Sequence, residues 1–239
     1  MSGFDPRRVH SHEKKGITMD RKKDIIAIMK QMSGSRSPYE VFCDWVKCSA
    51  IAIQNASCMI HGDTWKKREQ QYVETIKQYG DNGERFGEML ALLVETLDED
   101  MTDVLGEIYM EAELGNKSTG QFFTPFHMSY MIAKVSLTDQ FDHFQKNDQI
   151  KLYEPCCGAG GMIIATAKIL KEHGIDYQRK MRVVAQDLDW KAVYMCYIQM
   201  SFLGIKGKVA QGDTLTDPYI AGYPPERVLR TPGEMGMLI

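Results

Sequence analysis

Apolar residues recur at helical spacing through the first half of the chain. Asp20 precedes Ile25, Ile26, Ile28, Met29 and Met32, the stripe of a helix predicted to stop near Ser33-Gly34-Ser35. Ser37-Pro38 supplies a cap and a first-turn residue, and Val41, Phe42, Trp45, Val46, Ile51, Ala52 and Ile53 continue the pattern. Further helices are predicted over about 64–79, ending at Gly80, and over about 84–97, where Phe86, Met89, Leu90, Leu93, Val94 and Leu97 share a face. A short one follows over about 101–113. Residues 1–18 are polar, mixed in charge and without period, so a loose arm is expected there.

The period changes near Gly115. A loop over 115–120 leads into Gln121-Phe122-Phe123-Thr124-Pro125, and a helix is predicted from Pro125 to about Val135. Three short apolar runs follow, Ile150–Tyr153, Met181–Ala185 and Lys208–Ala210, separated by helix-like stretches at about 160–173 and 190–203. Strands alternating with helices imply an α/β fold with a parallel sheet of the doubly wound, Rossmann-like kind. The expected organisation is an arm at 1–18, a helical region at 19–114 and an abbreviated α/β domain at 115–239.

Composition narrows the function only slightly. The chain is 44% hydrophobic and 26% charged with a net charge of −3, so nothing drives it globally toward nucleic acid. Arg21-Lys22-Lys23 and Lys66-Lys67-Arg68 could touch phosphates, but acids flank both, and solvated helix faces are expected. No apolar run reaches the roughly 20 residues of a membrane span, and the charged N-terminus lacks the apolar core of a secretory signal. The six cysteines show no paired spacing and are expected to be reduced thiols in a cytoplasmic protein. No Cys/His cluster has metal-ligand spacing, and no metal is expected.

The candidate chemistry lies between the first strand and its helix, in Glu154-Pro155-Cys156-Cys157-Gly158-Ala159-Gly160-Gly161. Glycines there let the backbone turn tightly and approach a ligand, while the helix N-terminus presents free N–H groups. Such turns also occur for packing alone. Glu154 tilts the reading, because it would repel a dinucleotide's pyrophosphate and attract the amino group of a methionine moiety; S-adenosylmethionine is favoured over NAD. The second strand ends at Asp187, 27 residues after Gly160, where a carboxylate can grip a ribose diol. Asp189 reads better as a helix cap. The third strand ends in Gln211-Gly212-Asp213-Thr214, where Asp213 is either a plain turn acid or a contact for the adenine amine.

Gly120-Gln121-Phe122-Phe123-Thr124-Pro125, the glycine loop, Gln186-Asp187 and Gly212-Asp213-Thr214-Leu215, in this order, resemble the modification subunits of type I restriction systems and related N6-adenine DNA methylases. The resemblance covers about residues 84–215. It implies an S-adenosylmethionine-dependent methyltransferase fold and a DNA adenine-N6 methyltransferase activity. By the same resemblance Phe123, Thr124, Pro125, Glu154, Gly158, Gly160, Asp187 and Asp213 contact the cofactor. Phe122 is expected in the core instead. The implied partners are DNA and a second methylase or specificity subunit.

One motif departs from that family. Its transferring members carry Asn-Pro-Pro-aromatic, which orients the extruded adenine amine toward the methyl group. Here Tyr223-Pro224-Pro225-Glu226 stands in the corresponding region with neither the polar acceptor nor the aromatic, only 10 residues after Asp213. No catalytic residue is therefore assigned. The alternative reading is a catalytically inactive, cofactor-binding regulatory or assembly protein. With three strands predicted, Ile150–Tyr153 would lack a neighbour on one side. Arg227–Arg230, Met235–Ile239 or a second copy of the chain could cover that edge.

Overall fold

The computed structural model describes residues 20–34, 36–112, 114, 122–218 and 222–237. The expected arm at 1–18, the expected loop at 115–120 and Gln121 lie outside them. The first half forms helices α1 (Arg21–Met32), α2 (Pro38–Ala56), α3 (Asp63–Lys77), α4 (Arg85–Glu99) and α5 (Val104–Glu111). Asp20 starts α1 by accepting the Lys23 N–H, and Ser37 and Glu40 close a reciprocal capping box with Pro38 in the first turn of α2. α2 runs through the centre of this half, burying Val41, Phe42, Trp45, Val46 and Ala50. Trp45 Nε1 donates to the Phe86 carbonyl at 3.1 Å, so its one polar atom is satisfied inside the core.

The second half contains α6 (Phe126–Leu137), α7 (Phe141–Lys146), β1 (Ile150–Glu154), α8 (Gly161–Glu172), α9 (Tyr177–Lys180), β2 (Met181–Asp187), α10 (Trp190–Phe202), β3 (Gly207–Gln211) and β4 (Val228–Arg230). β1, β2 and β3 are parallel and adjacent in that order, with Ile150 opposite Met181 and Val183 opposite Gly207. α8 and α10 supply the crossovers that parallel neighbours require. The structure adds α7, and it places α9 in the region expected as a loop at 174–180. Both are too short to show a helical period in sequence, and α9 relies on Asp176 accepting the Arg179 N–H.

The sheet edge corrects the sequence reading. Val228–Arg230 does not cover β1; it pairs antiparallel with β3, Val209 opposite Leu229, on the other side of the sheet. Arg68 of α3 holds it there, donating to the Pro225 and Val228 carbonyls. Gln54 of α2 accepts the Arg230 N–H. Arg68 is thus not on a solvated face, as expected, but serves as the anchor of β4. Met235 turns onto α2, where its sulfur accepts from Gln54 Nε2. Among the described residues nothing pairs with the outer side of β1.

One apolar cluster spans both halves, joining Phe42, Trp45 and Tyr109 to Ile163 and Ile164 of α8, Met195 and Ile198 of α10, and Val183 and Val209 of the sheet. Alternation along the strands places Lys151, Tyr153, Arg182, Val184 and Lys208 on the opposite sheet face, where they line an open cleft of about 710 Å³ that no helix covers among the described residues.

Candidate cofactor site at the glycine loop

Between β1 and α8 the chain reverses through Pro155–Gly160. Gly158 and Gly160 have φ of 53° and 101°, the left-handed region that penalises a side chain. Space is short as well. A Cβ on Gly158 would lie 3.1 Å from the Phe123 ring, and one on Gly160 would lie 3.2 Å from Cys196 Sγ.

The loop is laced to the ends of the neighbouring strands. Cys157 N–H donates to the Gln186 carbonyl at 2.9 Å, and Gly158 N–H donates to Asp187 Oδ2 at 2.9 Å. Asp187 Oδ1 accepts the Asp189 N–H at 3.0 Å. Asp189 caps α10, accepting the Lys191 N–H at 2.8 Å, as preferred from the sequence. Thr214, just beyond β3, donates to the Pro155 carbonyl. Glu154 Oε1 accepts the Cys156 N–H at 3.2 Å and so stays within its own turn. Asp213 Oδ1 accepts the Leu215 N–H at 2.9 Å, a backbone bond that holds this carboxyl below its usual range.

At this end of the sheet lies a cavity of about 210 Å³, walled by Asp103, Phe123, Thr124, Ser129, Gly158 and Asp187 among others. A second cleft of about 610 Å³ shares Asp103, Phe123 and Thr124 with it and adds Pro125. Phe123, Thr124, Gly158 and Asp187 are therefore brought together. Pro125 is one wall away, and Gly160 shapes the turn from beneath. Glu154 and Asp213 line neither space. Phe122, expected in the core, is 74% exposed. Phe123 takes the packing position instead, edge-on to Tyr109 at 5.1 Å between centroids. The larger cleft on the bare sheet face holds none of the glycine-loop residues, so size does not locate the chemistry here.

Asp103, Ser129 and Gln199 were not singled out in sequence. Asp103 caps α5, accepting the Gly106 N–H at 2.9 Å. It also accepts from Gln199 Nε2 at 2.8 Å, which donates in turn to the Ala159 carbonyl at 2.8 Å. An Asp three residues before a Gly at a helix start reads as an ordinary cap, and nothing in a single sequence marks it further. Burial pushes the Asp103 carboxyl up to about 6, helped by nearby Glu107 and opposed by the Gln199 and Gly106 bonds.

Between the ordinary value of 3.8 and about 6 the folded state binds the extra proton. Stability from this group is therefore lost as pH rises through that window. Asp103→Asn removes the buried charge while keeping the cap. The unliganded variant is expected to melt at or above the wild type at pH 7.5, with the gap closing near pH 4.5. Melting curves at the two pH values check this; a variant less stable at pH 7.5 would show that the lost hydrogen bonds outweigh desolvation.

Tyr223-Pro224-Pro225-Glu226 is built into the scaffold. The Tyr223 hydroxyl donates to the Asp217 carbonyl and accepts from Gln186 Nε2 at 2.7 Å, and the Arg227 guanidinium lies 4.0 Å from its ring centre. Glu226 accepts from Thr64 of α3. All six cysteines are free thiols; the bond to Cys196, with burial, raises the Cys157 thiol well above its ordinary value. Among the described residues no group of His, Cys, Asp or Glu is arranged to hold a metal ion, and no helix is long and apolar enough to cross a membrane.

Comparison with known proteins places these features in a family. The model described as N-6 DNA Methylase matches residues 100–229, which run from just before α5 into β4. Over 131 residues the chain is 23% identical to the type I restriction enzyme MpnII methylase subunit of Mycoplasma pneumoniae, a match covering 52% of this chain and 22% of that protein. The type I restriction-modification system methyltransferase subunit from Streptococcus thermophilus aligns with 85% of this chain and 60% of its own, at 11% identity and a TM-score of 0.44. The chain spans about a fifth of the length of the Mycoplasma relative. Because the family model takes in more than half of the sequence, including the glycine loop, β2 and β3, the chain belongs to the N-6 DNA methylase family.

Proposed function

We propose that the chain binds S-adenosylmethionine in the cavity beside the glycine loop and takes part in N6-adenine methylation of DNA. The observation that carries this reading is the Asp187 carboxylate, fixed at the end of β2 by the Gly158 and Asp189 N–H groups on the rim of that cavity. A carboxylate at this point can accept from both hydroxyls of a ribose, and the left-handed glycines bring the backbone close to the ligand. The reaction passes a methyl group from a sulfonium, which leaves as a neutral thioether, to an amine, which gives up a proton to solvent, and the residues of this chain hold the donor.

A specific observation supports a second reading. Tyr223–Glu226, in the region where the family's adenine-orienting motif is expected, is committed to Asp217, Gln186 and Thr64. The adenine would then be oriented by another subunit, or the chain would act as a cofactor-binding regulatory or assembly protein. Calorimetric titration with S-adenosylmethionine, followed by tritiated methyl transfer to unmethylated DNA with and without a partner subunit, separates these. Binding with transfer supports the enzyme. Binding without transfer in either condition supports the regulatory reading, and no binding by folded protein overturns both.

A further inference from the structure

The cavity has a second end, and we propose that Asp103 and Ser129 form there a receptor for the zwitterionic amino-acid group of the ligand, Asp103 taking the ammonium and Ser129 the carboxylate. This rests on the reading of S-adenosylmethionine as ligand. Asp103 is 3% exposed and Ser129 1%. Asp103 Oδ1 already accepts from Gly106 N–H and Gln199 Nε2, whereas Oδ2 accepts no hydrogen bond among the described residues. Ser129 Oγ, on the first turns of α6, has no hydrogen-bond partner among them either. Buried polar atoms are normally paired, and an orphan lining a cavity points to something that completes it.

Both groups face one spot. A Cβ on Gly161 would lie 3.2 Å from Asp103 Oδ2 and 3.3 Å from Ser129 Oγ. Glycine at 161, the first residue of α8, keeps that spot clear. A Cβ on Gly106 would lie 2.3 Å from the same Oδ2, so glycine at 106 lets the carboxylate lie against the first turn of α5.

The charge pattern selects the ligand. α6 and α8 are each 12 residues long and begin beside this spot. Their first-turn N–H groups and dipoles favour an anion. Asp103, a few ångströms away, favours a cation. A phosphate would satisfy the helices and be repelled by Asp103; a simple amine would do the reverse. An α-amino acid end satisfies both. A bound ammonium would also offset the burial that raises the Asp103 carboxyl. Glu154, the acid that the sequence assigns to the amino group, is bonded to the Cys156 N–H and lines neither cavity.

Three ligands test the assignment. 5′-Methylthioadenosine lacks the amino-acid group, and decarboxylated S-adenosylmethionine keeps only its amine. Asp103→Asn is expected to weaken S-adenosylmethionine about 10–100-fold, as for loss of a charge-assisted bond, and to leave methylthioadenosine within about twofold. Ser129→Ala is expected to weaken S-adenosylmethionine roughly 3–10-fold, the loss of one neutral-donor bond, with no effect on the decarboxylated form. Equal losses for S-adenosylmethionine and methylthioadenosine, or no loss for either, would overturn the proposal. If Asp103→Asn does not fold by circular dichroism, the Ser129→Ala contrast decides alone. Wild type that binds methylthioadenosine as tightly as S-adenosylmethionine removes the subsite and leaves the ligand reading standing. Wild type that binds none of the three removes both.

Discussion

Asp187→Ala is expected to lower S-adenosylmethionine affinity about 100-fold, near 2.7 kcal/mol at 1.36 kcal/mol per tenfold. Two losses combine. The carboxylate would no longer receive the ribose hydroxyls, and the Gly158 and Asp189 N–H groups would lose their acceptor. A hydrogen bond to a charged group is worth about 1.5–3 kcal/mol net, so either loss alone could supply much of the effect. Asp187→Asn separates them, since its carbonyl can still accept one of the two N–H groups while the charge facing the ribose is gone. Calorimetric titration of both variants checks the prediction. Unchanged affinity in the alanine variant would mean that the acid ending β2 is not a ligand.

The second large effect concerns folding. Trp45→Ala removes a side chain that is 1% exposed and takes away the indole N–H bond to the Phe86 carbonyl. Truncating a buried Trp costs about 3–5 kcal/mol, against a total stability of order 5–15 kcal/mol. In a chain of this length the melting temperature should fall by roughly 6–20 °C. Because Trp45 shares one apolar cluster with α8, α10 and the sheet, far- and near-ultraviolet circular dichroism should report a single shifted transition. A biphasic melt in which only helical signal is lost early would show that the first five helices form a unit of their own.

The sequence was most legible where period and punctuation agreed. α2 begins at Ser37-Pro38 because both residues favour a helix start, and its apolar face is the one buried. The three parallel strands were visible because each is a short apolar run flanked by a helix-length stretch. Legibility failed where tertiary contacts decide. Val228–Arg230 is too short for an alternating pattern, and its partner is chosen by Arg68 and Gln54, more than 150 residues away in sequence. Phe122 and Phe123 are indistinguishable in a list of letters, yet one is exposed and the other lies between Tyr109 and Gly158. Within the candidate site, the glycine loop and Asp187 were readable from their place at strand ends. Asp103 was not, because its carboxyl meets Gln199 and the glycine loop only after α5, α8 and α10 have packed.

The two margins of the sheet differ. β4 seals the margin beyond β3 with a short antiparallel strand pinned by Arg68 and Gln54, while the outer margin of β1 has no strand beside it among the described residues. An unpaired strand edge is a template for another strand. A newcomer running parallel to β1 would finish beside Glu154, at the lip of the glycine loop, and one running antiparallel would start there. Whatever supplies it, an added strand brings its connecting loop to the ligand end of the molecule.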